Sequence, residues 1–88
     1  MAMPTILIIE DEQELVRVLR SYLEQAGFKV LSALRGDTGL TTWESSKPDL
    51  VILDLNLPGI DGLDVARAIR RKADTPIISW EKQLERLK

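Results

Sequence analysis

The stretch from Val51 to Gly62, VILDLNLPGIDG, restricts the fold more than any other part of the chain. It begins as an unbroken apolar run, places one carboxylate (Asp54) at the end of that run, and then breaks at Pro58-Gly59 and Asp61-Gly62. A short apolar run closed by turn residues reads as a buried parallel strand, because both faces of such a strand are covered and no alternation is needed. Asp54 then stands where a strand leaves its sheet, which is where open α/β sheets bind ligands.

The remaining segments follow the same logic. Thr5-Ile6-Leu7-Ile8-Ile9 is a second β-branched run, and it ends in Glu10, Asp11 and Glu12. Leu15, Val18, Leu19, Tyr22 and Leu23 recur at helical spacing up to a stop at Ala26-Gly27. Phe28 to Ala33 reads as a shorter strand, and Gly36-Asp37 opens a helix to about Ser46 despite four indifferent helix formers, Thr41, Thr42, Ser45 and Ser46. Lys47-Pro48-Asp49 ends that helix and leads into the strand Leu50 to Leu53. Leu63, Val65, Ala66 and Ile69 form the apolar side of a third helix through about Lys72, and Asp74-Thr75-Pro76 leads to a fourth strand beginning at Ile77-Ile78. A β-α-β-α-β-α-β order implies a parallel sheet with right-handed crossovers and helices on both faces.

Composition removes several chemistries. With no histidine and no cysteine, the commonest general base, the thiolate nucleophile and the usual zinc ligands are all missing. A net charge of -2 argues against a nucleic-acid surface, and the basic cluster Arg67, Arg70, Arg71 and Lys72 falls where it complements a helix dipole. No apolar run is long enough to span a bilayer, and the N-terminus carries no signal pattern, so a cytoplasmic setting is expected. At 88 residues the chain is one small domain with a marginal core.

The chemistry left is that of carboxylates, hydroxyls and amines, and the carboxylates are the ones that cluster. In a parallel sheet the residues that close two neighbouring strands meet at one rim. If the first and third strands are adjacent, Glu10, Asp11 and Asp54 converge, and like charges so close need a cation between them. A hard ion with oxygen ligands suits such a site, and Mg²⁺ fits best because it takes one or two carboxylates and recruits phosphate. Glu12 and Asp61 read instead as helix caps facing water.

The segments ILIIEDE, PDLVILDLNLPGIDGLDVARAIR and DTPII together resemble the receiver domain of two-component response regulators, from about Pro4 to Ile78. The resemblance implies a flavodoxin-like sheet in the order 2-1-3-4, with residues 1–80 as the receiver-like domain and 81–88 as a helical tail. It implies that Asp54 is the phosphoacceptor, attacking the phosphohistidine of a histidine kinase to form an acyl phosphate. By the same likeness Asp11 ligates Mg²⁺, Glu10 holds it largely through water, and the backbone carbonyl of Asn56 is a further ligand. Such a module is not an enzyme, beyond promoting its own phosphorylation and dephosphorylation.

The likeness ends after Ile78. Counting from Pro76, the family's hydroxyl that bonds the phosphoryl oxygen is replaced by Glu81, and the family's later lysine has no counterpart. Losing a cation and a hydroxyl donor from a charged transition state costs on the order of several kcal/mol, so slow phosphorylation and lost switching are expected. A chain truncated to about four strands leaves an edge strand and apolar sheet uncovered, which predicts completion by a homodimer about a two-fold axis. Trp80, Leu84 and Leu87 of the tail would then lie across the partner. The competing expectation is an engineered or truncated fragment whose main property is self-association, its acidic site idle. An aspartate-nucleophile phosphatase is disfavoured because Asn56 stands where such enzymes place a second Asp, and a dinucleotide fold because no glycine-rich turn follows the first strand.

Overall fold

The computed structural model describes residues 3–81. Its elements run β1 (Thr5–Ile9), α1 (Gln13–Gln25), β2 (Lys29–Ala33), α2 (Gly36–Ser46), β3 (Leu50–Asp54), α3 (Gly62–Lys72) and β4 (Ile77–Trp80). The four strands form one parallel sheet, as the alternating pattern implies, in the order β2-β1-β3-β4 that the family resemblance implies. The expected helix over 81–88 lies outside the described residues from position 82 onward; Glu81 follows β4 without regular structure.

The sheet separates two apolar layers. On one face Leu7, Ile9, Val51 and Leu53 pack with Trp43 of α2 and with Val65 and Ile69 of α3. On the other, Ile6, Ile8 and Val30 pack with Val16 of α1, joined by half-buried Leu19 and Leu23. Consecutive residues of β1 thus feed opposite faces, which is why Ile6 to Ile9 contains no polar residue. The face under α1 is the less covered one among the described residues. Ile52 is half-buried there, and its register partner Ile78 is 56% exposed.

The face of α1 is shifted from its expected position, and that of α3 is narrower than expected. Val18 and Tyr22 of α1 point outward, and Val16 is buried in their place. In α3, Val65 and Ile69 are fully buried whereas Leu63, in the first turn, is 49% exposed. Helical spacing identifies a stripe, but several stripes fit the same residues, and the sheet selects the one that meets it. Trp43, which the poor helix formers around it obscured, anchors α2, and its indole N–H donates to Thr75 Oγ1 at 3.2 Å. That helix stops at Lys47, which takes the left-handed conformation (φ 49°).

Candidate functional site

Register brings the acids together. β1 and β3 are neighbours, with Ile9 opposite Leu53 as the last paired positions, so Glu10 and Asp54 come next, side by side at the C-terminal rim. Glu10 and Asp54 are buried to 1% and 0% exposure, and Asp11 is exposed beside them. One carboxylate oxygen from each of Glu10, Asp11 and Asp54 lies within 4.8 Å of the others. Burying two carboxylates at such separation is costly unless positive charge or protons compensate, so the donor set fits a hard divalent cation. All oxygen donors, two buried and one facing solvent, form an open-sided site of the kind Mg²⁺ occupies while keeping waters.

Local hydrogen bonds hold the carboxylates in place. Asp54 Oδ1 accepts the Asn56 backbone N–H at 2.9 Å, and Glu10 Oε2 accepts the Glu12 N–H at 2.8 Å. Asp61 caps α3 as expected, accepting the Leu63 N–H at 2.9 Å. Glu12 differs from expectation. It stands at the N-cap position of α1, and its carbonyl accepts the Val16 N–H at 3.1 Å, but its side chain makes no capping hydrogen bond. Its N–H is instead turned back to the buried Glu10, tying the start of α1 to the acid cluster.

The loop from Leu55 to Asp61 carries the Asn56 carbonyl. Its return to the sheet is tight at Gly62, where an added Cβ would lie 2.5 Å from Leu55 Cα and 2.6 Å from the Asp54 carbonyl oxygen. Only glycine permits α3 to start so close to β3. On the far side of the site, Trp80 of β4 is the register partner of Asp54, and the Leu55 N–H donates to its carbonyl at 2.9 Å. Glu81 is the next residue, exposed at the same rim. Ser79, the hydroxyl residue of β4, pairs with Leu53, one step before Asp54. What sequence reasoning missed is the outer support of the loop, supplied by residues 35–37, since nothing local in the sequence links them to Pro58.

The profile of the response regulator receiver domain matches residues 6–83. Transcriptional regulatory protein AfsQ1 of Streptomyces coelicolor is 43% identical over 76 residues, covering 86% of this chain and 34% of its own length. Transcriptional regulatory protein BaeR of Escherichia coli is 42% identical over 84 residues, covering 96% of this chain and 35% of its own. The chain therefore spans about a third of the length of these curated relatives. Among solved structures, the response regulator TrrA of Thermotoga maritima in complex with Mg²⁺ and beryllofluoride superposes with a TM-score of 0.84 at 39% identity, over 90% of this chain and 70% of that one. The beryllofluoride-activated receiver domain of Klebsiella pneumoniae RstA gives the same TM-score, 0.84, at 34% identity over 88% and 66%.

Proposed function

The chain belongs to the response regulator receiver domain family, and on that premise we propose that it is a phosphoacceptor module of a two-component phosphorelay, phosphorylated on Asp54 with Mg²⁺ by a histidine kinase. The observation that carries this reading is the meeting of Glu10, Asp11 and Asp54 within 4.8 Å at one sheet rim. In the transfer, an Asp54 carboxylate oxygen attacks the phosphorus of a phosphohistidine. An O–P bond forms, the N–P bond breaks, and its electron pair returns to the imidazole nitrogen. The Asn56 N–H on Oδ1 orients the carboxylate for that approach. Such a transfer needs positioning and charge neutralisation more than a general base, so the absence of histidine from the chain is no obstacle. Asp11, Glu10, Asp54 and the Asn56 carbonyl are the groups that would hold Mg²⁺, which when bound supplies the charge neutralisation. Glu81 puts a carboxylate beside the incoming anion and weakens both transfer and switching.

Beryllofluoride with Mg²⁺ tests this directly. A saturable change in tryptophan fluorescence is expected, carried by Trp80 opposite Asp54 and abolished in Asp54→Ala, with Glu81→Thr tightening the response. A response that survives Asp54→Ala, or none in the wild type, would refute the proposal.

A second reading, self-association, draws support from β4. Among the described residues this strand pairs on one side alone and leaves Ile78 exposed, so a second copy could add to the sheet there.

A further inference from the structure

The loop that carries the Asn56 carbonyl is gripped from outside by a turn more than twenty residues earlier in the chain. Arg35, the N-cap of α2, and Gly36, its first residue, approach it at three points. The Gly36 N–H donates to the Pro58 carbonyl at 3.4 Å. Gly36 also lies so close to Ile60 that an added Cβ would stand 2.3 Å from the Ile60 carbonyl oxygen. Finally, the Arg35 guanidinium lies over Gly59, where a side chain would otherwise be. A Cβ built on Gly59 would meet Nη2 at 2.8 Å, Cζ at 3.2 Å and Nε at 3.4 Å. Gly59 itself has φ 80°, a conformation that favours glycine independently of the contact.

The guanidinium is held in its turn. Nε donates to Asp37 Oδ1 at 3.1 Å and Nη2 to Asp37 Oδ2 at 3.3 Å, a fork that fixes the plane of the group as well as its position. The Arg35 carbonyl caps α2, accepting the Gly39 N–H at 2.9 Å and the Thr38 hydroxyl at 3.3 Å. α2 is anchored in the core by buried Trp43. The chain of support therefore runs from the core through α2 and Asp37 to Arg35, and from Arg35 to Gly59. At the inner end the same loop is pinned by the Asn56 N–H on Asp54. The Asn56 carbonyl lies between the two anchors, and one intervening residue, Leu57, separates it from Pro58.

We infer that Arg35, held by Asp37, is a positioning residue for the metal-binding loop, setting the direction of the Asn56 carbonyl. This rests on the reading of Glu10, Asp11, Asp54 and Asn56 as an Mg²⁺ site. An exposed ion pair on a turn ordinarily contributes little. Here both partners are half exposed, so the pair matters through what it holds in place rather than through its own energy. Mg²⁺ demands near-ideal octahedral geometry, whereas Ca²⁺ accepts flexible ligands, so a loosened carbonyl should penalise the first ion selectively.

The test is titration of the metal alone, Mg²⁺ and separately Ca²⁺, followed by tryptophan fluorescence or calorimetry. Arg35→Ala is expected to weaken Mg²⁺ about tenfold, the lower end of the range seen for residues that orient metal ligands, while Ca²⁺ changes less than about twofold. Asp37→Asn shifts Mg²⁺ in the same direction, and Arg35→Ala combined with Asp37→Asn is no weaker than Arg35→Ala alone, because Asp37 acts only through Arg35. Glu14→Ala, which breaks the exposed Glu14–Arg17 pair on α1, leaves both ions unchanged. Wild-type Mg²⁺ affinity in Arg35→Ala, or equal losses for Mg²⁺ and Ca²⁺, would overturn the inference. If the wild type fails to bind Mg²⁺ saturably, the reading of the acid site falls by itself. Amide exchange at Asn56 in the metal-free protein then decides the positioning role: faster in Arg35→Ala upholds it, unchanged refutes it.

Discussion

At Asp37 the carboxyl is held below its ordinary value of 3.8, first by the hydrogen bonds from the Arg35 side chain and then by the Thr38 N–H. A depressed folded-state value means that the ionised form is favoured by folding. Its contribution is therefore fully present above about 3.8, where the unfolded group is also ionised, and is lost as the pH falls through the lower folded value. Followed by carboxyl resonances, the Asp37 midpoint is expected to lie below 3.8 in the wild type and to rise toward it in Arg35→Ala. An unmoved midpoint would mean that the fork is absent in solution.

At the scale of the element, α3 shows how a helix places a site without contributing to it. Asp61 caps it, Gly62 lets it begin against Leu55, and Arg70, Arg71 and Lys72 occupy the last turn, where cations complement the dipole. Its buried stripe is Val65 and Ile69, with Leu63 outside it. Ile69→Ala is accordingly expected to cost about 2–5 kcal/mol, the range for a buried aliphatic residue cut back to alanine. Leu63→Ala should stay within about 0.5 kcal/mol, as surface changes do. Urea unfolding of the two variants checks this, and comparable losses would show that the first turn of α3 is buried after all. The same helix is tied to α2 by Lys72 and Glu44, which pair at the rim opposite the acids.

At the scale of the whole molecule, the sheet is covered unequally among the described residues. α2 and α3 share one face, and α1 serves the other, where Ile52 is half-buried and Ile78 exposed. A domain of this size buries only roughly 60% of its unfolded surface, so an uncovered strip matters more than it would in a larger protein. Self-association through β4 predicts a solution mass of twice 9.9 kDa at about 100 µM. Ile78→Lys, which places a charge on the open side, should return it to a monomer. A monomeric wild type by light scattering would remove the self-association reading and leave the phosphoacceptor reading intact.

Much of this was legible in the chain itself. Strand and helix identities and their order along the chain follow from apolar runs and turn residues, and the one-way geometry of parallel strands brings Asp11 and Asp54 together once β1 and β3 are neighbours, a strand order that the family resemblance implied and the sheet shows. The phase of α1 and the extent of the α3 stripe were not legible. Val16 rather than Val18 faces inward in α1, and Leu63 drops out of an α3 stripe that otherwise holds at Val65 and Ile69, because the sheet chooses among stripes that periodicity alone leaves equivalent. Nor could the sequence reveal that Arg35 lies over Gly59 or that Trp43 reaches Thr75, since contacts between distant segments arise only when α2 is packed against the sheet and leave no mark on the spacing of neighbours.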